Sequence, residues 1–181
     1  MSSPALFLDR DGVINVDHAY VYQPEKFDFI DDVFGLCQEA QKRGYKICVI
    51  TNQAGIGRGY YTEQDFMRLT EWMLDVFKQH EVVINKVYFC PHHPDGLGSY
   101  QQDSFFRKPN PGMILQAEQE LDIDLKRSIF VGDKLTDMQA GKSAGILNNL
   151  LYSPESIESA IPQDVTVVKS LLDVVSFLTP I

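Results

Sequence analysis

Ala5-Leu6-Phe7-Leu8-Asp9-Arg10-Asp11-Gly12 is the stretch whose reading decides the fold. Four consecutive apolar residues ending abruptly at an acid read as a buried strand. Its carboxyl end delivers two carboxylates, two residues apart, to a place where a phosphate ester and a hard cation can meet. A matching pattern recurs downstream, where Ile129-Phe130-Val131 runs into Gly132-Asp133-Lys134-Leu135-Thr136-Asp137. One such cluster alone reads as a solvated turn. Two clusters on strand ends, with Thr51 and Lys108 between them in chain order, read as a site.

Outward from these two strands, short apolar runs alternate with helical periodicity. Further strands are predicted at Lys46–Ile50, Lys86–Cys90, Leu150–Tyr152 and Val165–Val168, with the second acidic strand spanning Ser128–Val131. A helix fits Asp31–Arg43, where Val33, Leu36, Cys37 and Ala40 share a face and Gly44 is the stop. Thr62 caps a longer helix to Gln79, whose stripe of Phe66, Leu69, Met73, Val76 and Phe77 is core, as is Trp72. A third is expected from an Asn110 cap and a first-turn Pro111 to Leu121, with shorter ones over Leu135–Ala144 and Ser170–Leu178. Repeated strand–helix–strand units predict an α/β fold: a doubly wound parallel sheet with helices on both faces. We expect one domain over residues 1–181, without a large separate cap. The long excursions Asn15–Ile30 and Pro91–Arg107 are expected to hang over the site as loops. In such sheets ligands bind beyond the carboxyl ends of the strands, where Asp9, Thr51, Cys90 and Asp133 fall.

Composition narrows the function. The 181 residues carry a formal net charge of -9, which opposes a nucleic-acid partner. An anionic substrate then needs locally gathered cations, for which Arg10, Arg58, Arg107, Lys108 and Lys134 are available. Cys37, Cys48 and Cys90 each lie in or beside apolar segments and read as reduced thiols. No stretch approaches the roughly 18 apolar residues of a membrane span, and no signal peptide is legible. A cytoplasmic monomer with no membrane association is the expectation.

Asp9, at the strand terminus, is placed to attack phosphorus in line and form an acyl phosphate. Two anions repel, so a cation and fixed positive side chains are needed at the phosphoryl oxygens. Mg²⁺ suits an all-oxygen site made of Asp9, Asp133 and a backbone carbonyl. If that carbonyl belongs to Asp11, its side chain is free to protonate the leaving oxygen and then deprotonate water. Gly12 permits the sharp turn required there. Thr51 can hydrogen-bond a phosphoryl oxygen, and Lys108 can neutralise both phosphate and aspartates. Asp137 is expected to orient the metal shell or Lys134 rather than bind metal. Asn52, Gln53 and Gly55 form either a turn or a set of phosphate donors; Gly55-Ile56-Gly57-Arg58-Gly59 is either a connector or a substrate loop.

Asp9-x-Asp11, Thr51, Lys108, and Asp133 with Asp137 occur in an order that resembles the haloacid dehalogenase-like phosphotransferase superfamily. Longer stretches are similar to its branch of heptose-bisphosphate and histidinol-phosphate phosphatases. These are Phe7–Gly12, Asn15–Val21, Thr51–Gln53, Cys90-Pro91-His92-His93-Pro94 and Arg107-Lys108-Pro109-x-Pro111-Gly112-Met113, and the resemblance extends over nearly the whole chain. The resemblance implies Asp9 as nucleophile and Asp11 as acid/base. It implies Mg²⁺ on Asp9, the Asp11 carbonyl and Asp133, and phosphoryl stabilisation by Thr51 and Lys108. Contacts to a small phosphorylated sugar are implied for Arg10, Asp17, His18, Ala19, Tyr20, Asn52, Gln53, Ala54, Arg107 and Lys134. The product would be heptose 1-phosphate, a precursor of nucleotide-activated heptose for lipopolysaccharide and related glycans.

One departure stands out. Relatives in this branch carry a structural zinc bound by Cys-x-His and a later Cys-x-Cys before Arg-Lys-Pro. Here Cys90-x-His92 persists, but Ser104-Phe105-Phe106 precedes Arg107. A structural zinc normally needs four ligands, so zinc is not expected, and Phe105 and Phe106 are expected to anchor the loop by apolar packing. Competing functions are histidinol-phosphatase activity, a phosphoacceptor receiver and a catalytically silent binding module. Arg107 disfavours the amine-bearing histidinol substrate; an acid/base two residues beyond the nucleophile suits turnover rather than a lasting phosphoryl mark.

Overall fold

A computed structural model describes residues 1–155 and 160–180 of the chain. Six strands form one parallel sheet: β1 (Ala5–Leu8), β2 (Lys46–Asn52), β3 (Lys86–Cys90), β4 (Ile129–Gly132), β5 (Asn148–Tyr152) and β6 (Thr166–Val168). The expected strands all form, most with one or two residues added or lost at an end. Their spatial order is β3-β2-β1-β4-β5-β6, so the chain winds outward on one side of β1 and then outward on the other side from β4. That reversal between β1 and β4 is the crevice where doubly wound sheets place their ligands. Phe7 lies opposite Cys48 of β2 and Phe130 of β4, which puts Asp9 and Asp133 side by side at the crevice.

The inner strands read as continuous apolar runs because both sheet faces are covered. On one face Leu6, Leu8, Ile47, Val49, Ile129 and Val131 pack beneath α1 (Val33–Lys42) and α3 (Glu63–Gln79), with one-turn α2 (Ala54–Gly57) between them in sequence. On the other, Ala5, Phe7, Cys48, Ile50 and Phe130 meet α4 (Gly112–Leu121) and α5 (Leu135–Ala144). Helix α3 starts in a reciprocal cap: the Thr62 hydroxyl accepts from the Asp65 amide at 3.1 Å, and the Asp65 carboxylate accepts from the Thr62 amide at 2.9 Å. Gly44 ends α1 with a φ of 81°, open to glycine at little steric cost.

Two expectations need correction. Asn110 does not cap α4; its amide donates to the Ser104 carbonyl at 3.0 Å, and Pro111 occupies the cap position. The predicted helix over Ser170–Leu178 is a 3-10 helix at Leu171–Phe177, capped by Ser170 and packed against α1. Among the described residues, no helix is long and apolar enough to cross a membrane.

Candidate active site

Asp9 follows β1 directly, and its amide donates to the Val131 carbonyl of β4 at 3.1 Å, so the sheet fixes its backbone. Oδ1 accepts from the Arg10 amide at 2.8 Å and from Lys108 Nζ at 2.9 Å. Asp9 also lines the cavity. Lys108 Nζ also reaches Asp137 Oδ1 and the Ile50 carbonyl, each at 2.8 Å. All three ammonium hydrogens are therefore engaged in a buried position. Burial works to lower the lysine's pKa, but Asp137 and Asp9 together outweigh it and hold Lys108 above its ordinary value.

Lys108 itself comes from a loop, and Asn52 at the end of β2 holds it there. The Asn52 amide donates to the Lys108 carbonyl at 3.1 Å, and its oxygen accepts from the Lys108 amide at 3.0 Å. This imitation of a strand pair makes Asn52 a support for Lys108, although it also lines the cavity.

Asp133 follows β4 and lies against Gly12. A Cβ on Gly12 would sit 2.0 Å from Asp133 Oδ2, and the Gly12 φ is +93°. Only glycine meets both demands. Ligand oxygens of Asp9, Asp133 and Asp137 lie within 4.8 Å of one another. Burial, then Asp137, pushes the carboxyls of Asp9 and Asp133 above their ordinary range, with Lys108 opposing both shifts. Three crowded acids facing one lysine leave negative charge unbalanced, and Asp133 Oδ1 is buried with no hydrogen-bond partner. An all-oxygen donor set of this kind fits a hard divalent cation. Asp137 is one of the three acids that could hold the cation and is also bonded within the protein: beyond Lys108, its Oδ2 accepts from the amides of Asp133 and Lys134 at 3.2 and 3.1 Å. Its partner is thus the Lys134 backbone rather than the Lys134 side chain.

Asp11 is gripped by three side chains. Oδ1 accepts from Arg10 Nη2 at 2.9 Å and Asn15 Nδ2 at 3.0 Å, and Oδ2 accepts from Gln53 Nε2 at 3.2 Å. Arg10 was expected at the substrate. Instead it is 2% exposed, its guanidinium lying between the rings of Phe27 and Phe66 and bound to the Val21 carbonyl at 2.8 Å. From that buried position it reaches Asp11 rather than the cavity. Sequence reasoning missed Asn15 and Tyr61 as site residues; the one available signal for Asn15 was a polar side chain inside the apolar run Val13-Ile14-Asn15-Val16.

The cavity of about 430 Å³ is lined by Asp9, Asp11, Asp17, Ala19, Tyr20, Asn52, Gln53, Ala54, Arg107, Lys108, Lys134 and Asp137, among others. Most of the expected site residues thus converge. His18 does not line this cavity: its Nε2 pairs with Asp28 at 2.7 Å, and it borders a neighbouring groove that also includes Ala19 and Tyr20. Thr51 lies beneath the cavity floor, fully buried, with its hydroxyl oxygen accepting from Gln53 at 2.8 Å.

In the second long loop, Cys90 Sγ stands 3.9 Å from His92 Nδ1. Phe105 and Phe106 do not anchor the loop; they are 56% and 43% exposed. Ser104 is the buried member, its hydroxyl accepting from the Phe106 amide at 3.1 Å while its carbonyl takes the Asn110 bond. The Phe105 backbone presses on Gly112, whose amide donates to it at 3.1 Å. Hydrogen bonds therefore tie down this end of the loop. Elemental analysis of protein purified without chelator is expected to find less than one equivalent of zinc, and a full equivalent would overturn that expectation.

A parallel sheet that reverses between two acid-tipped strands, with a buried lysine bridging Asp9 to Asp137 in the first turn of α5, defines a phosphatase of the haloacid dehalogenase-like class. Comparison with known proteins is specific. The family model described as polynucleotide kinase 3 phosphatase matches residues 8–157. The D-glycero-alpha-D-manno-heptose-1,7-bisphosphate 7-phosphatase of Burkholderia mallei is 51% identical over 180 residues, covering 99% of this chain and 95% of that one. The D-glycero-beta-D-manno-heptose-1,7-bisphosphate 7-phosphatase of Yersinia pestis is 48% identical over 151 residues, 83% of this chain and 80% of that one. The crystal structure of D,D-heptose 1,7-bisphosphate phosphatase from B. bronchiseptica, complexed with magnesium and phosphate, superposes with a TM-score of 0.84 at 27% identity, covering 96% of both chains. The chain belongs to the D-glycero-D-manno-heptose-1,7-bisphosphate 7-phosphatase family of haloacid dehalogenase-like enzymes.

Proposed function

We propose that this chain is a Mg²⁺-dependent phosphatase that removes the 7-phosphate of D-glycero-D-manno-heptose 1,7-bisphosphate, leaving heptose 1-phosphate. The observation that carries the reading is the meeting of Asp9, Asp133 and Lys108 beside an independently held Asp11. Asp9 attacks phosphorus in line, the bond from phosphorus to the sugar oxygen breaks, and Asp11 gives that oxygen a proton. Asp11 then takes a proton from water as it attacks the aspartyl phosphate, and inorganic phosphate leaves. Asp9, the Asp11 carbonyl and Asp133 would hold Mg²⁺, which would supply positive charge to offset the carboxylates and the phosphoryl oxygens. Lys108 keeps one Asp9 oxygen occupied and adds a fixed charge, and the buried Thr51 supports the phosphoryl pocket through its hydrogen bond with Gln53.

The non-reacting phosphate belongs with Arg107 and Lys134. Both line the cavity, and Arg107 Nη1 is committed to the Lys108 carbonyl at 3.2 Å while its Nε has no partner. Truncating Arg107 to alanine should therefore raise KM for the bisphosphate by about 10–100-fold, the range for losing a charge-assisted hydrogen bond. KM for a sugar monophosphate should change little; equal effects on the two would remove Arg107 from this role. A cavity of about 430 Å³ is of small-molecule size, and the net charge of -9 repels a polynucleotide. We read the chain as one cytoplasmic catalytic domain acting as a monomer, without a separate cap.

Relatives named for the alpha and the beta anomer match almost equally well, at 51% and 48% identity. A phosphate-release screen with Mg²⁺ over both anomers, histidinol phosphate and simple sugar phosphates tests the proposal. The heptose bisphosphates should be hydrolysed fastest, and faster release from histidinol phosphate would overturn it.

A further inference from the structure

Gln53 touches two functional side chains at once. One amide hydrogen goes to Asp11 Oδ2 at 3.2 Å and the other to the Thr51 hydroxyl oxygen at 2.8 Å. A carboxylate can only accept, so chemistry dictates that the nitrogen end of Gln53 faces Asp11. Its carbonyl end is then turned inward, in a residue that is 2% exposed, and a buried carbonyl needs a donor. The Tyr61 hydroxyl provides it, donating to Gln53 Oε1. Burial raises the phenol's pKa, so the hydroxyl keeps its proton. The ring is fixed in turn. It stacks on Tyr22 with centroids 5.2 Å apart and planes 10° apart, and a Cβ on Gly55 would lie 2.3 Å from its edge. Tyr61 also lines the cavity.

We propose that Tyr61 is a positioning residue that acts through Gln53, aligning the acid/base Asp11 and the buried Thr51 together. The inference rests on the phosphatase reading above. Without the phenolic hydroxyl, the Gln53 carbonyl is left buried and unpaired, and the amide leaves its seat to find water. Asp11 then loses one of its three donors, and Thr51 loses its cover.

The leaving group provides the test. A sugar alkoxide needs a proton to depart, whereas p-nitrophenolate does not, and kcat/KM reports every step through cleavage of that bond. Asp11→Asn is the reference and should depress kcat/KM for an alkyl sugar phosphate far more than for p-nitrophenyl phosphate. Tyr61→Phe keeps the ring stack and should show the same bias, with a fall of about 10–100-fold for the sugar phosphate and a markedly smaller one for the aryl ester. Gln53→Met should behave alike, and adding Tyr61→Phe to it should cost nothing further, because the two act as one unit. Equal losses on both esters, no loss, or additive losses in the double variant would overturn the proposal. Bias in Asp11→Asn but not in Tyr61→Phe or Gln53→Met defeats this inference alone. No bias in Asp11→Asn defeats the acid/base assignment and the inference with it.

Discussion

Replacing Asp9 with asparagine is expected to abolish phosphate release, by about 10⁴–10⁶-fold, the scale on which a covalent hydrolase suffers from loss of its nucleophile. The amide nitrogen cannot attack phosphorus, and no other carboxylate occupies the same point beyond β1. Asp133 presses on Gly12, and Asp137 has its oxygens committed to Lys108 and to two backbone amides. Folding should survive. The asparagine oxygen can still accept from the Arg10 amide and Lys108, and one of three crowded buried acids is gone. Circular dichroism melts alongside a phosphate-release assay check both halves of this expectation. Turnover within tenfold of the parent would mean that Asp9 is not the nucleophile. A collapsed melting temperature would mean that its charge is structural.

The largest loss of stability is expected from Lys108→Met. This substitution keeps an unbranched side chain only one atom shorter but removes the three hydrogen bonds to Asp9, Asp137 and Ile50. Two buried carboxylates then face each other without a cation. Breaking a buried ion pair from one side typically costs about 3–5 kcal/mol. For a chain of this size that lowers the melting temperature by on the order of 10 °C. Added Mg²⁺ should recover part of the loss, because a cation that binds only the folded acidic cluster stabilises it by mass action. Turnover should remain depressed with saturating Mg²⁺, since the phosphoryl group still lacks its fixed cation. Thermal melts with and without Mg²⁺ decide the matter. An unchanged melting temperature without the metal would show that Lys108 does not neutralise these acids.

The strands and most helices were legible in the sequence because each is a local pattern. Ala5–Leu8 and Lys86–Cys90 are apolar runs with sharp boundaries, and Leu135–Ala144 and the Thr62-capped helix carry their own periodicity and stops. Asp9, Asp11, Thr51, Lys108 and Asp133 stood out only together, because each alone reads as a turn or surface residue while their order along the chain fits one site of acids and a cation. Where the reading failed, a side chain's direction was set by residues far along the chain. Arg10 follows the nucleophile and looks like a substrate cation, yet Phe27, Phe66 and Val21 draw it inward. Asn110 precedes a helix and looks like its cap, yet the loop at Ser104 takes its amide. Phe105 and Phe106 look like loop anchors but remain on the surface.

By itself, then, the amino-acid sequence determined the parallel α/β class, the identity of the acids at the strand ends and of the loop lysine that faces them, and the chemistry they can perform. Each of these follows from short-range apolar pattern and from the intrinsic properties of side chains. Tertiary structure alone decided that β1 and β4 are neighbours, that Asn52 holds the Lys108 loop, and that Tyr61 reaches Asp11 by way of Gln53. Those relations join segments as much as 124 residues apart, from Asp9 to Asp133, and no local periodicity encodes them. They arise only when the two faces of the sheet are buried together, forcing the polar groups at its edge to find partners among whatever loops arrive there.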